Sequence, residues 1–247
     1  MPNLKLQIEY DGTGYAGWQK QHPRKKQKTI QDVIERALRQ ILSERVRVIA
    51  SGRTDAGVHA LAQVVNFHTH SGIPLKKIQQ GLNSLLPQDI AVKRIERVGP
   101  GFHSRFSAKS KVYRYTILNH PYREAISRHF VYHCRFPLDL RLMRKEAKAL
   151  LGRHNFVSFA ASGGKARDPL KDIKRINLSD RGHYINIEIE ADGFLYNMVR
   201  NIVGTLIEIG RGRFPAGSMR KILEGRDRKL GGVTAPARGL CLVKVRY

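Results

Sequence analysis

Apolar and polar residues alternate at the start of the chain, over residues 4–8, and this period of two predicts a β-strand. Over residues 30–42 the apolar positions recur every three or four residues, which predicts a helix with one buried face. Thr29 stands where a side-chain oxygen caps such a helix. A second helix is predicted to open at Pro74 and to end before Pro87.

Three further strands are predicted around these helices, over residues 45–50, 62–69 and 90–98. The resulting order is β-α-β-β-α-β. This order is the split βαβ arrangement, which leaves one face of its sheet uncovered by helices.

A Pro-Gly pair at residues 100–101 interrupts this pattern, and the second half of the chain then repeats its content in outline. Strands are predicted over 112–118, 129–133, 174–179, 184–192 and 240–245, and helices over 139–151, 194–209 and 217–223. We therefore predict two α+β domains, at residues 1–105 and 106–247.

Charge adds information about partners. The chain has 247 residues, and its 45 Lys and Arg against 20 Asp and Glu leave a net charge of +25. Such an excess indicates binding to a polyanion, of which nucleic acid is the commonest. An apolar share of 41% excludes a wholly disordered chain. Apolar runs are too short to cross a bilayer and residues 1–10 show no signal core, so we expect a cytoplasmic protein without membrane contact.

The two cysteines, Cys134 and Cys241, lie far apart and form no CxxC pattern. We therefore predict two thiols and no structural zinc site. The ten histidines show neither HxxxH spacing nor the pattern of a zinc deaminase, so no metal site is predicted.

Basic residues gather in four clusters, at residues 20–28, 105–114, 165–175 and 220–229. A solvated surface would explain any one of them. Four clusters with few acids, one of them interleaved with aromatic residues, suit RNA, whose phosphates need cations and whose bases need stacking surfaces. The predicted RNA-binding residues are Lys20, Arg24, Lys25, Lys26, Arg105, Lys109, Lys111, Arg114, Lys165 and Arg167.

Residues 12–17 match the GxGxxG pattern of dinucleotide-binding turns, but their surroundings do not fit. The turn runs into Trp18 and a basic tract, and the candidate acids for binding a ribose, Asp32 and Glu35, lie within the predicted helix. We therefore predict no nucleotide cofactor, and we interpret the glycines as a turn that lets RNA approach the backbone.

Two charged residues stand out chemically. In segment 51–60, Asp55 lies beside Arg53 in a loop of small residues, where it could form a local turn or act as a catalytic carboxylate. Arg200 is the only charge along most of the predicted helix 194–209, and a buried guanidinium needs an anionic partner. Asp55 is a candidate partner, and another carboxylate with a structural role is the alternative.

Together, several segments resemble the TruA-type tRNA pseudouridine synthases. They are residues 52–60 (GRTDAGVHA), 102–108 (FHSRFSA), 111–115 (KVYRY) and 198–204 (MVRNIVG), which occur in the order found in that family. Residues 10–19, YDGTGYAGWQ, resemble the family's N-terminal signature. Val112 stands where some members have Arg.

The resemblance implies an enzyme that isomerises uridine to pseudouridine at positions 38, 39 and 40 of the tRNA anticodon stem-loop. It implies Asp55 as the nucleophile, Tyr113 as the aromatic residue against the target base, and Arg200 as the cation paired with Asp55. With Tyr113, Arg53 and His59 of the GRTDAGVHA segment are assigned to substrate binding. It also implies a homodimer, no cofactor, and a central, mainly antiparallel sheet built from two RRM-like halves and flanked by helices.

Two other interpretations stay open. A non-catalytic RNA-binding protein with the same halves would account for the charge and the aromatic residues, but not for a carboxylate beside an RNA path. A pseudouridine synthase that acts on a different RNA would share every motif.

Overall fold

A computed structural model describes residues 1–20, 27–161 and 168–247 of the chain. The predicted RNA contacts of Arg24, Lys25, Lys26, Lys165 and Arg167 fall outside these described residues. The chain forms two compact units, one of Met1–Lys109 with Leu242–Tyr247 and the other of Ser110–Cys241.

In the first unit the elements follow one another in the predicted β-α-β-β-α-β order. They are β1 (Asn3–Tyr10), α1 (Ile30–Leu42), β2 (Ile49–Ala50), β3 (His59–His68), α2 (Leu75–Leu85) and β4 (Ile90–Val98). Strand β1 pairs antiparallel with both β3 and β4, and β2 pairs antiparallel with β3. The last strand of the chain, Leu240–Arg246, also lies next to β3.

The core of this unit follows from the two periodicities. Leu4, Leu6 and Ile8 of β1 are buried, and the polar residues between them are only partly covered. Helices α1 and α2 pack against each other and bury their apolar positions, such as Ile34 and Leu82. The predicted N-cap is confirmed, because the Thr29 hydroxyl accepts a hydrogen bond from the Asp32 amide.

The strand predicted over residues 45–50 is correct only for its last two residues. At Val48 the amide donates to Glu35 Oε1 at 3.2 Å, and the carbonyl accepts from Gln31 Nε2 at 3.5 Å. Side chains of α1 thus take up both backbone groups that a strand neighbour would otherwise bind.

In the second unit the elements are β5 (Ser110–Asn119), β6 (Tyr132–Cys134), α3 (Leu140–Ala147), β7 (Gly152–Asn155), β8 (Leu170–Arg181), β9 (Tyr184–Ala191), α4 (Met198–Gly210) and α5 (Ser218–Gly225). Strands β5, β9, β8 and β7 form an antiparallel sheet in that order, and β6 runs parallel to β5. Helix α3 packs on α4 and on β8. The predicted mixed α+β class is confirmed.

The structure of this half differs from the prediction at four points. Helix α4 begins at Met198 rather than at residue 194, because Asn197 has a left-handed backbone with φ of 62°. The strand predicted over 129–133 is replaced by a 3-10 turn at Ser127–His129 and by β6. The short strand β7 was not predicted, and Leu242–Tyr247, placed with 106–247 from the sequence, belong to the first unit.

Both cysteines are thiols, as predicted. No helix among the described residues is long and apolar enough to cross a membrane. Across the same parts of the chain, no three His, Cys, Asp or Glu side chains are grouped as ligands for a metal ion.

Candidate active site

Asp55 lies in the loop between β2 and β3, and the base of this loop is tied to β3. The Ser51 amide donates to the Val64 carbonyl at 2.8 Å, and the Gln63 side chain binds both Ser51 Oγ and the Gly52 carbonyl. The tip is closed by the Val58 amide, which donates to the Asp55 carbonyl at 3.1 Å. The half-buried carboxylate therefore stands on a loop whose main chain is held at both ends.

A second layer of contacts comes from the glycine-rich turn that follows β1. The Trp18 amide donates to the Thr54 carbonyl at 2.9 Å, and the Tyr10 hydroxyl lies 2.8 Å from Thr54 Oγ1. Tyr10 and Trp18 are both buried. The residue next to Asp55 is thus bound through both its main chain and its side chain.

The glycines of the turn make room for the Asp55 loop. A Cβ on Gly12 would lie 2.1 Å from the Val58 carbonyl oxygen, and one on Gly17 would lie 2.7 Å from the Thr54 carbonyl oxygen. Gly17 also has φ of +91°, which favours glycine. These two glycines are therefore required by the packing of the loop itself, and the approach of RNA to this turn stays a prediction.

His59 and Arg53, the other predicted binding residues of this loop, differ in exposure. The His59 ring is 4% exposed, and its Nδ1 lies 3.1 Å from the Gly12 amide and 3.0 Å from Asp11 Oδ1. Because it ties the loop to the glycine-rich turn, His59 supports the main chain around Asp55. Arg53 is exposed.

In the second unit, Tyr113 sits in β5 opposite Ile189 of β9. Its ring is 7% exposed and meets the Phe194 ring edge-on, with 5.1 Å between centroids. The register between β5 and β9 is unbroken, so Arg114 points to the opposite face, where its Nη2 lies 2.8 Å from Glu188 Oε1. Arg114 is therefore an ion-pair partner within the sheet, and it does not flank the Tyr113 hydroxyl.

Arg200 lies in the first turn of α4, half-buried, and its guanidinium is oriented by two hydrogen bonds. Nε donates to the Ala235 carbonyl at 2.8 Å, and Nη1 donates to Asn197 Oδ1 at 2.9 Å. The Ala235 amide in turn donates to the Arg200 carbonyl at 3.1 Å. Side chain and main chain of Arg200 are thus bound to the same segment.

That segment, residues 228–236, is here called the strap, and it lies directly on α4. A Cβ on Gly204 would lie 1.7 Å from the Val233 carbonyl oxygen, and one on Gly232 would lie 2.9 Å from the Gly204 carbonyl oxygen. The strap also binds β5, because the Tyr115 hydroxyl donates to the Pro236 carbonyl at 2.8 Å. Burial raises the pKa of Tyr115 far above its ordinary value, so this hydroxyl stays protonated.

Arg228 anchors the strap to the helix. Its Nη2 lies 3.1 Å from Asn201 Oδ1, 2.8 Å from the Gly232 carbonyl oxygen and 3.3 Å from Thr234 Oγ1. Burial lowers the pKa of this guanidinium. Arg228 belongs to the basic cluster at 220–229, and its position shows that this member of the cluster serves the fold.

The remaining predicted RNA-binding residues that the structure describes have different environments. Lys20 is 54% exposed, and its Nζ lies 2.9 Å from Asp32 Oδ1. Arg105 and Lys109 are exposed, whereas Lys111 is half-buried in β5. Lys20, Arg105 and Lys109 are thus exposed, and Lys111 is more covered.

The structure brings the predicted site residues together only in part. Asp55, Arg53 and His59 share one loop of the first unit, and Tyr113 and Arg200 belong to the second. The pairing of Asp55 with Arg200 therefore stays a prediction. Sequence reasoning missed the residues that orient them: Phe194, Asn197, Asn201, Arg228 and Ala235. One sequence signal for them is the glycine within α4, Gly204, because a glycine inside a helix indicates that another segment packs closely there.

Comparison with known proteins extends these observations. The family described as tRNA pseudouridine synthase matches residues 7–107 and 147–247. A protein of Acetivibrio thermocellus named tRNA pseudouridine synthase A is 48% identical over 247 residues, covering 100% of both chains. A Pelobacter propionicus protein of that name is 47% identical, and Clostridium perfringens tRNA pseudouridine synthase A 2 is 44% identical, each over the full length of both chains. The chain therefore belongs to the tRNA pseudouridine synthases, enzymes that isomerise uridine in tRNA.

Proposed function

We propose that this enzyme forms pseudouridine at positions 38, 39 and 40 of the tRNA anticodon stem-loop and that Asp55 is its nucleophile. The observation that carries the proposal is the way the Asp55 loop is held. Its other residues are bound to buried partners, such as Thr54 to Tyr10 and His59 to Gly12, and Asp55 itself is only half-buried. A rigid loop that presents one carboxylate suits a nucleophile.

The reaction moves the ribose from one ring atom of uracil to another. The bond between N1 and C1′ breaks, the ring turns, a bond forms between C5 and C1′, and the hydrogen on C5 leaves as a proton while N1 gains one. No atom is gained or lost overall. A carboxylate at position 55 can attack the ribose and hold it while the uracil turns, provided that it is ionised.

Arg200 is proposed to keep this carboxylate ionised. A neighbouring cation lowers the pKa of a carboxyl, and a guanidinium that is already oriented loses little further freedom when it pairs. The bonds from Arg200 to Ala235 and Asn197 supply such orientation. The first unit thus carries the proposed nucleophile, and the second carries its proposed cation.

Tyr113 is proposed to act on the target base. A target base that is paired in the stem must leave the helix at a cost of about a few kcal/mol, and Arg53 can fill the vacated place. The Tyr113 ring, held edge-on by Phe194, offers an aromatic surface to the uracil, and its hydroxyl moves the proton that leaves C5. Tyr113→Phe keeps the ring and deletes the oxygen, so it separates these two roles.

The proposed assembly is a homodimer that binds the anticodon arm, with each unit corresponding to one RRM-like half. The β-α-β-β-α-β order of the first unit and the antiparallel sheet of the second, with its helices, support the comparison with RRM domains. Sedimentation of the purified protein tests the dimer.

The experiment that tests the function is tritium release from RNA labelled at C5 of uridine. Three tRNAs, each with uridine at only one of positions 38, 39 and 40, should all release tritium, and a tRNA with cytidine at all three should release none. Release from the all-cytidine tRNA, or from an unrelated RNA at an equal rate, would show a different target. No release from any RNA would favour the non-catalytic interpretation.

A further inference from the structure

The FHSRFSA segment forms a turn after β4 whose inward residues are anchored in the first unit. The Ser104 side chain is fully buried and donates to the Ile49 carbonyl. The Ser104 amide donates to Asn66 Oδ1 at 2.9 Å, and the Tyr247 hydroxyl donates to the Ser104 carbonyl at 2.9 Å. The turn is thus fixed to the sheet through all polar groups of one residue.

His103 closes the outer part of the turn. Its Nδ1 accepts hydrogen bonds from the Arg105 and Phe106 amides, each at 3.2 Å. The Ser107 amide donates to the His103 carbonyl at 2.8 Å, and Ser107 Oγ accepts from the His103 amide at 3.1 Å. The backbone from 103 to 107 is therefore held by its own hydrogen bonds.

The side chains of Arg105 and Phe106 point outward from this rigid turn. Phe106 is 76% exposed. Its ring lies 4.3 Å from the His103 ring, and the guanidinium carbon of the exposed Arg105 is 5.5 Å from the ring centroid. What distinguishes this exposed ring is that it stands on a rigid turn beside a cation. That arrangement suits a ligand with a flat apolar face and a negative charge.

We infer that Phe106 and Arg105 form a stacking site for an unstacked nucleobase of the bound tRNA and its adjoining phosphate. The inference rests on tRNA being the substrate and deepens the proposed function. An aromatic ring gives a base a flat partner of any sequence, and the guanidinium beside it suits a phosphate. Such a site holds a base other than the reacting uracil, so it affects binding and leaves the chemistry unchanged.

Charge favours RNA over a second protein copy as the occupant. Arg105 and the exposed Lys109 lie close to Phe106 in the chain, on a protein with a net charge of +25. The occupant of this turn therefore has to supply anions to Arg105 and Lys109, and RNA supplies phosphates, whereas this chain has only 20 Asp and Glu.

The first test measures tRNA affinity at fixed salt for Phe106→Leu and Phe106→Trp. Leucine keeps an apolar side chain but has no flat face, so we expect the Kd for tRNA to rise about 10-fold. A change of this size is within the range that base–aromatic contacts contribute. Tryptophan keeps the flat face and should bind within about 2-fold of the original protein. In steady-state assays, Phe106→Leu should have a higher KM for tRNA and an unchanged kcat.

Tyr122 provides a matched control, because its ring is 77% exposed in the second unit. Tyr122→Leu should bind tRNA like the original protein. An equal loss in Tyr122→Leu would show that any exposed aromatic residue contributes, and it would overturn the inference for this turn.

The second test uses fluorescence. The only tryptophan of the chain, Trp18, is 2% exposed, so Phe106→Trp adds one accessible reporter. Addition of tRNA should quench the added emission, whereas inorganic polyphosphate, which has charge but no bases, should not. No quenching by tRNA, or equal quenching by polyphosphate, contradicts stacking.

Two further outcomes would also overturn the inference. Phe106→Leu could bind tRNA as well as Phe106→Trp does, or it could change the mass of the RNA-free protein in sedimentation, which would assign the ring to a contact between proteins. These readouts measure binding and mass, so they do not depend on whether positions 38–40 are the target. Failure of the proposed function would instead appear as absent tritium release by the unaltered protein.

Discussion

The loop that carries Asp55 and the turn that carries Arg200 are held in different ways. Around Asp55, the main chain of the glycine-rich turn packs directly on the loop, with Gly12 and Gly17 against the carbonyls of Val58 and Thr54, and side-chain hydrogen bonds add to this contact. At Arg200, side-chain hydrogen bonds fix the position of the guanidinium, which binds Asn197 and the strap. Arg228 in turn binds the strap to α4.

The difference matches what each charge is proposed to do. A nucleophile has to be presented with its carboxylate accessible, so the surrounding main chain supplies the rigidity. A cation acts through the direction of its N–H groups, so its side chain must be oriented. The comparison predicts that the Asp55 loop is sensitive to added volume, while the Arg200 turn is sensitive to lost hydrogen bonds as well.

Among the variants that test how the two regions are held, the largest effect should come from removing the oriented cation. We expect Arg200→Met to lower kcat by about 100-fold at neutral pH, a typical loss for a preorganised electrostatic group. Without the cation the pKa of the proposed carboxylate rises, so the loss should be greater at about pH 5.5 than at about pH 8.5. Pseudouridine formation across this pH range is the measurement.

Arg200→Lys serves as the control, because it keeps the charge but lacks the Nε donor to Ala235. Its activity should fall between those of the original protein and Arg200→Met. A loss that is equal at every pH, with a lowered Tm, would favour the alternative that Arg200 pairs with a structural carboxylate.

Added volume should destabilise both regions. Gly204→Ala forces the strap away from α4, and Gly12→Ala forces the glycine-rich turn away from Val58, so we expect a loss of about 3 kcal/mol in unfolding free energy for each. The corresponding fall in Tm is about 6–12 °C. Gly14→Ala is the matched control, because a Cβ there meets nothing within 4 Å. Equal Tm values for all three variants would contradict the close packing.

Loss of hydrogen bonds should affect the Arg200 turn. Arg228→Met removes a donor that binds Asn201, Gly232 and Thr234, and we expect a loss of about 1–2 kcal/mol in unfolding free energy. Activity should fall together with stability, and Arg228→Lys, which keeps donor groups, should recover part of both. If Arg228→Met were more stable than the original protein, the free energy lost by burying the guanidinium would exceed the free energy gained from its hydrogen bonds.

The smallest effect concerns the cations themselves. Arg105→Gln should flatten the slope of log affinity against log salt by about 0.7–0.9, the value of one phosphate contact. Arg114→Gln should change the slope less, because Glu188 already pairs with Arg114. Equal changes in the two variants would show that the ion pair does not withhold Arg114 from RNA.

Much of the fold could be predicted because its signals are local. The helical period of α1 and the alternation of β1 and β9 depend only on neighbouring residues, and the predicted elements form there. The errors fall where distant groups act. Val48 gives its backbone groups to side chains of α1, and the left-handed Asn197, whose side chain accepts from Arg200, delays the start of α4.

The same distinction holds for the site. The roles proposed for Asp55, Tyr113 and Arg200 rest on short motifs, which are local. The purpose of Gly12 and Gly17 could not be read from the sequence, because the atoms that fill the space above them belong to residues 54–58. For the same reason the sequence could not show that Arg228 turns inward toward Asn201.

The central claim, that Asp55 supplies the nucleophile, is tested most directly by pseudouridine formation with Asp55→Asn. The substitution nearly preserves shape and removes the negative charge. We expect no pseudouridine even at equimolar enzyme, with tRNA affinity unchanged or slightly higher because a repelling charge is gone. Asp55→Ala, measured in parallel, excludes activity regained through deamidation of the asparagine. Turnover close to that of the original protein in either variant would contradict the account.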